Sequence, residues 1–126
     1  MKQYLLALLI VLSLPLLCGS AYATGIDESL AQAKKEGKAV MLELGSVGCI
    51  PCEQMRPVMA KLSSTYQGKL EVIFVDVRKD RATAQKFRVY GIPTQVFLDK
   101  KGTEFHRHIG YYAYEQIVPV LKNGGL

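Results

Sequence analysis

The sequence has no run of like charge longer than Arg78-Lys79, although 16 Lys and Arg against 11 Asp and Glu give a formal net charge of +5. A basic excess spread this way suits solubility and mild attraction to anionic surfaces, and it argues against a nucleic-acid track. Three cysteines are too few to staple a miniprotein through disulfides. After residue 24 there is no internal repeat, low-complexity tract or linker. No apolar run reaches the roughly 20 residues that a bilayer-spanning helix needs. What is present, 126 residues of which 49% are hydrophobic and 21% charged, supports one packed domain.

The longest apolar run, residues 5–17, is broken only by Ser13 and Pro15 and follows the short basic start Met1-Lys2. Small and polar residues come next, and Ala21-Tyr22-Ala23 supplies the A-x-A pattern of a signal-peptidase site. Residues 1–23 are therefore expected to be a cleavable signal peptide, with residues 24–126 as the exported domain. An uncleaved membrane anchor is the alternative. A lipoprotein reading at Cys18 lacks the small residue that normally stands just before a lipidated cysteine. Each route delivers the domain to a periplasmic or other extracytoplasmic location. Cleavage removes Cys18 and leaves Cys49 and Cys52 as one pair.

The exported part reads as alternating helices and strands. Ile26, Leu30 and Ala33 line one helical face, with Asp27 as N-cap and Gly37 as the stop. Residues 39–44 form a short apolar run, as in a strand buried on both faces, and residues 45–48 form a loop. A helix is expected from near Cys49 to about Tyr66, with Met55, Val58, Met59, Leu62 and Tyr66 inward and Pro57 kinking it. Residues 70–77 read as a second buried strand, and residues 81–88 as a short helix. After a turn at residues 90–93, residues 95–98 and 103–109 flank a hairpin turn, and residues 113–121 close the chain as a helix. This is an α/β domain with a four-stranded mixed sheet and helices on both faces.

The chemistry sits at Cys49-Ile50-Pro51-Cys52. Residues three apart share a helical face, so their sulfurs can close into a disulfide without moving the backbone. At a helix start, unpaired N–H groups and the helix dipole favour the Cys49 thiolate, lowering its pKa from roughly 8.5 toward or below 7. Pro51 suits the first turn, where its missing N–H has no partner to lose. A structural disulfide, a metal site and redox chemistry compete for this motif. The disulfide loop is too short to restrain the unfolded chain much. A c-type haem site needs His after the second cysteine, where Glu53 stands. A zinc site needs two further ligands, for which only His106 and His108 remain. Redox chemistry is the favoured reading, with no cofactor and no metal.

The stretch from residue 39 to residue 121 resembles the thioredoxin superfamily. The resemblance rests on Cys49-Ile50-Pro51-Cys52 after a buried strand, Pro57 in the following helix, Gly91-Ile92-Pro93-Thr94 before a strand, and Gly110 before the last helix. It implies the thioredoxin fold, a central mixed sheet of four to five strands flanked by helices on both faces. It also implies that Cys49 attacks a substrate disulfide and that Cys52 resolves the mixed disulfide. Ile92-Pro93 would carry a cis peptide bond and receive an extended peptide, with Gly48, Ile50 and Pro51 completing the substrate surface. Glu43, six residues before Cys49 in an apolar run, would face the interior with a raised pKa and take the Cys52 proton.

Several departures bear on what carries over. Gly48 replaces the usual aromatic before the first cysteine, Glu53 stands where a basic residue is common, and Phe74 occupies the place of a lysine near the buried acid. Tyr111, Tyr112 and Tyr114 are read as packing residues, and His106 and His108 as decoration of an exposed strand. Ile50-Pro51 and Ile92 resemble the reducing members, so a reductase of disulfides in exported proteins is expected. A membrane thiol carrier would re-reduce it, because an oxidising compartment offers no thiol pool. The protein is expected to act as a monomer without nucleic acid. A disulfide oxidase or isomerase of the same fold, or a non-enzymatic peptide-binding module, is the alternative.

Overall fold

A computed structural model describes residues 25–126; the signal-peptide reading of residues 1–23, Cys18 included, lies outside them. The elements run α1 (Gly25–Lys35), β1 (Ala39–Gly45), α2 (Ile50–Thr65), β2 (Leu70–Asp76), α3 (Arg81–Lys86), β3 (Thr94–Leu98), β4 (Glu104–Ile109) and α4 (Tyr114–Asn123). The four strands form one sheet in the order β2-β1-β3-β4. β1 pairs parallel with β2 and antiparallel with β3, and β3 pairs antiparallel with β4. A parallel neighbour requires a crossover connection, and α2 supplies it. The sheet is therefore mixed and has four strands among the described residues, the lower of the numbers expected.

Strand β1 lies between two partners and is buried throughout, which is why its sequence is nearly all apolar. Its alternation sorts the core into two layers. Ala39 and Met41 pack with Met55, Val58 and Leu62 of α2 and Ile117 and Leu121 of α4. Val40, Leu42 and Leu44 pack on the other side with Ile26 and Ala33 of α1, and Phe87 and Val89 flank them after α3. Helices thus cover both faces.

Three local expectations change. β2 is the edge of the sheet, so its burial is partial and Phe74 is 40% exposed; an apolar run need not be buried on both faces. Asp27 is the third residue of α1, inside its first turn and not at the N-cap position, and it pairs with Lys86 of α3. Gly45, read as loop, is the last residue of β1 and pairs with Asp76.

Candidate active site

Helix α2 begins at Ile50 with Cys49 as its N-cap, and no side chain caps it. Glu53 N–H makes the first helical bond, to the Cys49 carbonyl at 2.9 Å. Pro51 has no N–H, so the first-turn groups of Ile50 and Cys52 are the ones left without an intrahelical acceptor. Cys49 and Cys52 form a disulfide, with their Cα atoms 5.2 Å apart. Their surroundings differ. Cys49 is half-buried, whereas Cys52 is 3% exposed. One sulfur can meet a large partner and the other cannot.

The connection from β1 to α2 sets that difference. Gly48 adopts φ +80°, a left-handed backbone that side chains other than glycine's resist. This is a local reason for the absence of an aromatic residue before Cys49. Val47 and Ile50 are exposed at 55% and 76%, and Pro51 is half-buried. The two exposed residues make an apolar rim beside Cys49. Glu53 is ion-paired with Arg56 at 2.5 Å, which offsets the repulsion that its position after Cys52 would exert on a thiolate.

Glu43 points inward, as expected, on the α2 side of β1 with Met41 and Gly45, and it is 0% exposed. Burial pushes its pKa up to about 7, and a hydrogen bond from Gln95 opposes that rise. Phe74 is its register partner on β2 and Gln95 its partner on β3. Gln95 Nε2 donates to Glu43 Oε2 at 3.1 Å. Glu43 Oε1 and Gln95 Oε1 have no hydrogen-bond partner among the described residues. Sequence reading missed Gln95. Its signal was a polar residue inside the apolar run Thr94–Leu98, two places before the core residue Phe97.

The Ile92–Pro93 peptide bond is cis, with Pro93 buried and Ile92 half-buried. The Gly110 N–H donates to the Pro93 carbonyl at 2.7 Å, and Thr94 Oγ1 donates to the Gly91 carbonyl at 2.6 Å. Exposed Tyr90, Ile109 and Tyr111 lie along this part of the chain.

The histidines do not simply decorate a strand. His108 stacks on Tyr112 with centroids 3.9 Å apart, and His106 Nε2 lies 3.2 Å from the Tyr112 hydroxyl. Burial, then the neighbouring His108, hold His106 below its ordinary pKa. Tyr112 is a buried core residue, as read, while Tyr111 is exposed. A cleft of about 660 Å³ between α1, α3 and β4 contains neither cysteine nor Glu43. The reactive pair belongs to an open surface, which suits a macromolecular partner better than a small enclosed ligand.

Residues 26–125 match the family model described as a thioredoxin-like domain. Over 89 residues the chain is 29% identical to a thioredoxin of Staphylococcus aureus, spanning 71% of this chain and 85% of that one. It is similar to the solved structure of the thioredoxin NaTrxh from Nicotiana alata, with 28% identity and a TM-score of 0.66, covering 77% of this chain and 83% of that one. A thioredoxin-2, described as a component of malaria parasite protein secretion machinery, shares the fold at 24% identity and a TM-score of 0.64, covering 68% and 82% of the two chains.

Proposed function

This chain belongs to the thioredoxin-like domain family and is a thiol-disulfide oxidoreductase built on Cys49 and Cys52, and on that premise we propose that it reduces disulfides in exported proteins. In the proposed cycle the Cys49 thiolate attacks a substrate disulfide. A Cys49–substrate bond forms, the substrate S–S bond breaks, and one substrate sulfur leaves as a thiolate that takes up a proton. Cys52 then gives its proton to the Glu43 carboxylate and attacks Cys49 Sγ, expelling the second substrate thiolate. Glu43 passes that proton to the expelled thiolate and is ionised again, so the substrate gains two electrons and two protons, one from solvent and one from Cys52, and the enzyme is left with the Cys49–Cys52 disulfide. Glu43 suits the proton step because a group with a pKa of about 7 exists in both forms near neutral pH. The Ile92–Pro93 segment, with Gly48, Ile50 and Pro51, receives the substrate chain as an added extended strand.

The observation that carries the direction is that the two residues between the cysteines, Ile50 and Pro51, bring no side-chain donor to the head of α2. The side chains of Ile50 and Pro51 offer neither charge nor hydrogen bond, and the free backbone N–H groups of the helix terminus lie beside Cys49. A strong oxidant needs its reduced thiolate heavily stabilised, and the Ile50-Pro51 pair adds nothing to what the helix terminus supplies. The leader in residues 1–23 supports an extracytoplasmic location, and a membrane thiol carrier would return the electrons. The protein acts as a monomer on disulfide-containing proteins, with no nucleic acid.

The reduction potential of the Cys49–Cys52 couple tests this reading. A value near the thioredoxin range, about −270 mV, supports a reductase; one near about −120 mV reverses the direction. Cys52→Ala should accumulate mixed disulfides through Cys49 in the extracytoplasmic fraction, and the protein recovered there should begin at Thr24.

A further inference from the structure

Gln95 faces Glu43 across the β1–β3 pair, and neither side chain is accessible to solvent. Its Nε2 carries two hydrogens, and both are used: Glu43 Oε2 and the Gly110 carbonyl each lie 3.1 Å away. Because the Gly110 carbonyl and the ionised Glu43 carboxylate can only accept, the amide nitrogen is fixed toward them and the carboxylate is held by a neutral donor. Among the described residues Gln95 is the one hydrogen-bond partner of the Glu43 carboxyl. The titratable groups of the elements packed on this side of the sheet include Cys52 of α2 and Tyr66 at its end, Asp76 of β2, His106 and His108 of β4, Tyr112 ahead of α4 and Tyr114 within it. Asp76 accepts the Arg78 N–H at 3.0 Å, and both histidines lie against Tyr112. Phe74, the register partner on β2, carries no charge.

We propose that Gln95 is the positioning residue of the resolving step, holding Glu43 ready to accept the Cys52 proton in place of a charged partner. This deepens the proton role proposed for Glu43 and rests on it. A neutral amide stabilises the carboxylate by a hydrogen bond but adds no full positive charge. Glu43 can therefore ionise and still hold a proton strongly enough to exchange it with a thiol. Protonated Glu43 gains a donor hydrogen that the ionised form lacks, in a site where two acceptor oxygens are unpartnered.

The test follows the reduced full-length protein carrying Cys18→Ser, so that Cys49 and Cys52 are its two thiols, reacting with 5,5′-dithiobis(2-nitrobenzoate) by stopped flow from about pH 5 to about pH 9. Attack by Cys49 releases one thionitrobenzoate, and resolution by Cys52 releases the second. Gln95→Met, which keeps the length and removes the donor, should slow the second release roughly tenfold near neutral pH. It should also move the midpoint of that phase upward by about one pH unit. Gln95→Leu provides the same measurement if the methionine variant folds poorly. Glu43→Ala should slow the second release by itself, and adding Gln95→Met to it should slow it no further.

A uniform slowing by Gln95→Met at every pH, with the midpoint unmoved, would mean that Gln95 only supports the fold. Extra slowing in the double variant would mean that it acts independently of Glu43. Either result overturns the proposal while leaving the Glu43 reading intact. A second release untouched by Glu43→Ala removes the Glu43 reading, and the role of Gln95 with it.

Discussion

The sulfur of Cys52 lies against the backbone of Gly45: a Cβ built on Gly45 would stand 3.1 Å from Cys52 Sγ and 3.3 Å from the Phe74 ring. The buried half of the reactive pair thus rests on the end of β1, one strand repeat beyond Glu43. Any side chain at residue 45 would push between the sulfur and the sheet. The last strand residue has to be small for α2 to set its second cysteine this deep.

Gly45→Ala should therefore destabilise the oxidised protein by about 1–3 kcal/mol, the usual cost of overfilling a packed interior. Urea unfolding of the oxidised form measures it. A change below about 0.5 kcal/mol would show that Cys52 moves aside freely.

Phe74→Lys should place a cation beside Glu43, its register partner. An opposite charge favours the carboxylate, so the Glu43 pKa should fall from about 7. The pH midpoint of the resolving phase should move down, opposite in sign to the shift expected for Gln95→Met. Phe74 is 40% exposed, so the lysine can reach solvent and the fold should tolerate it. An unchanged midpoint would mean that the ammonium turns away from the site.

Glu43 should make stability fall as pH rises. Its folded pKa, about 7, lies above the ordinary value of 4.5, so the unfolded chain releases the proton first. Stability is full below about pH 4.5, declines as pH climbs toward 7, and levels off above it. The loss is on the order of 3 kcal/mol. Glu43→Gln, which keeps the volume and cannot ionise, should flatten this profile between about pH 5 and about pH 8. Denaturant unfolding of the oxidised protein across that window checks it, and parallel profiles for the two proteins would refute it.

Gly48→Ala should cost about 1–2 kcal/mol through backbone strain alone. A Cβ there meets nothing within 4 Å, and φ is +80°. Thermal unfolding should show the loss, while the disulfide still forms. A neutral result would mean that the loop relaxes to negative φ.

Much of the site was legible because its parts are local. The Cys49-Ile50-Pro51-Cys52 spacing and the position of Pro51 identify a helix start from neighbouring residues alone, and α2 begins at Ile50. Glu43 announced itself as an acid in an apolar run and proved fully buried. Asp27 misled for the same reason: an acid near a helix start is consistent with a cap, but its contact with Lys86 of α3 depends on a distant element. The run in β2 read as fully buried because composition does not reveal that a strand has a neighbour on only one side.

The amino-acid order by itself determined the helix-head dithiol, the inward acid and the alternation of elements, since each follows from residue types a few places apart. Tertiary structure alone decided that Gln95, 52 residues from Glu43, would hold its carboxyl, that Cys52 would settle on Gly45, and that both histidines would lie against Tyr112. Those relationships depend on strand register and on how deeply α2 packs. Both are set by the whole core closing at once, not by any short stretch of chain.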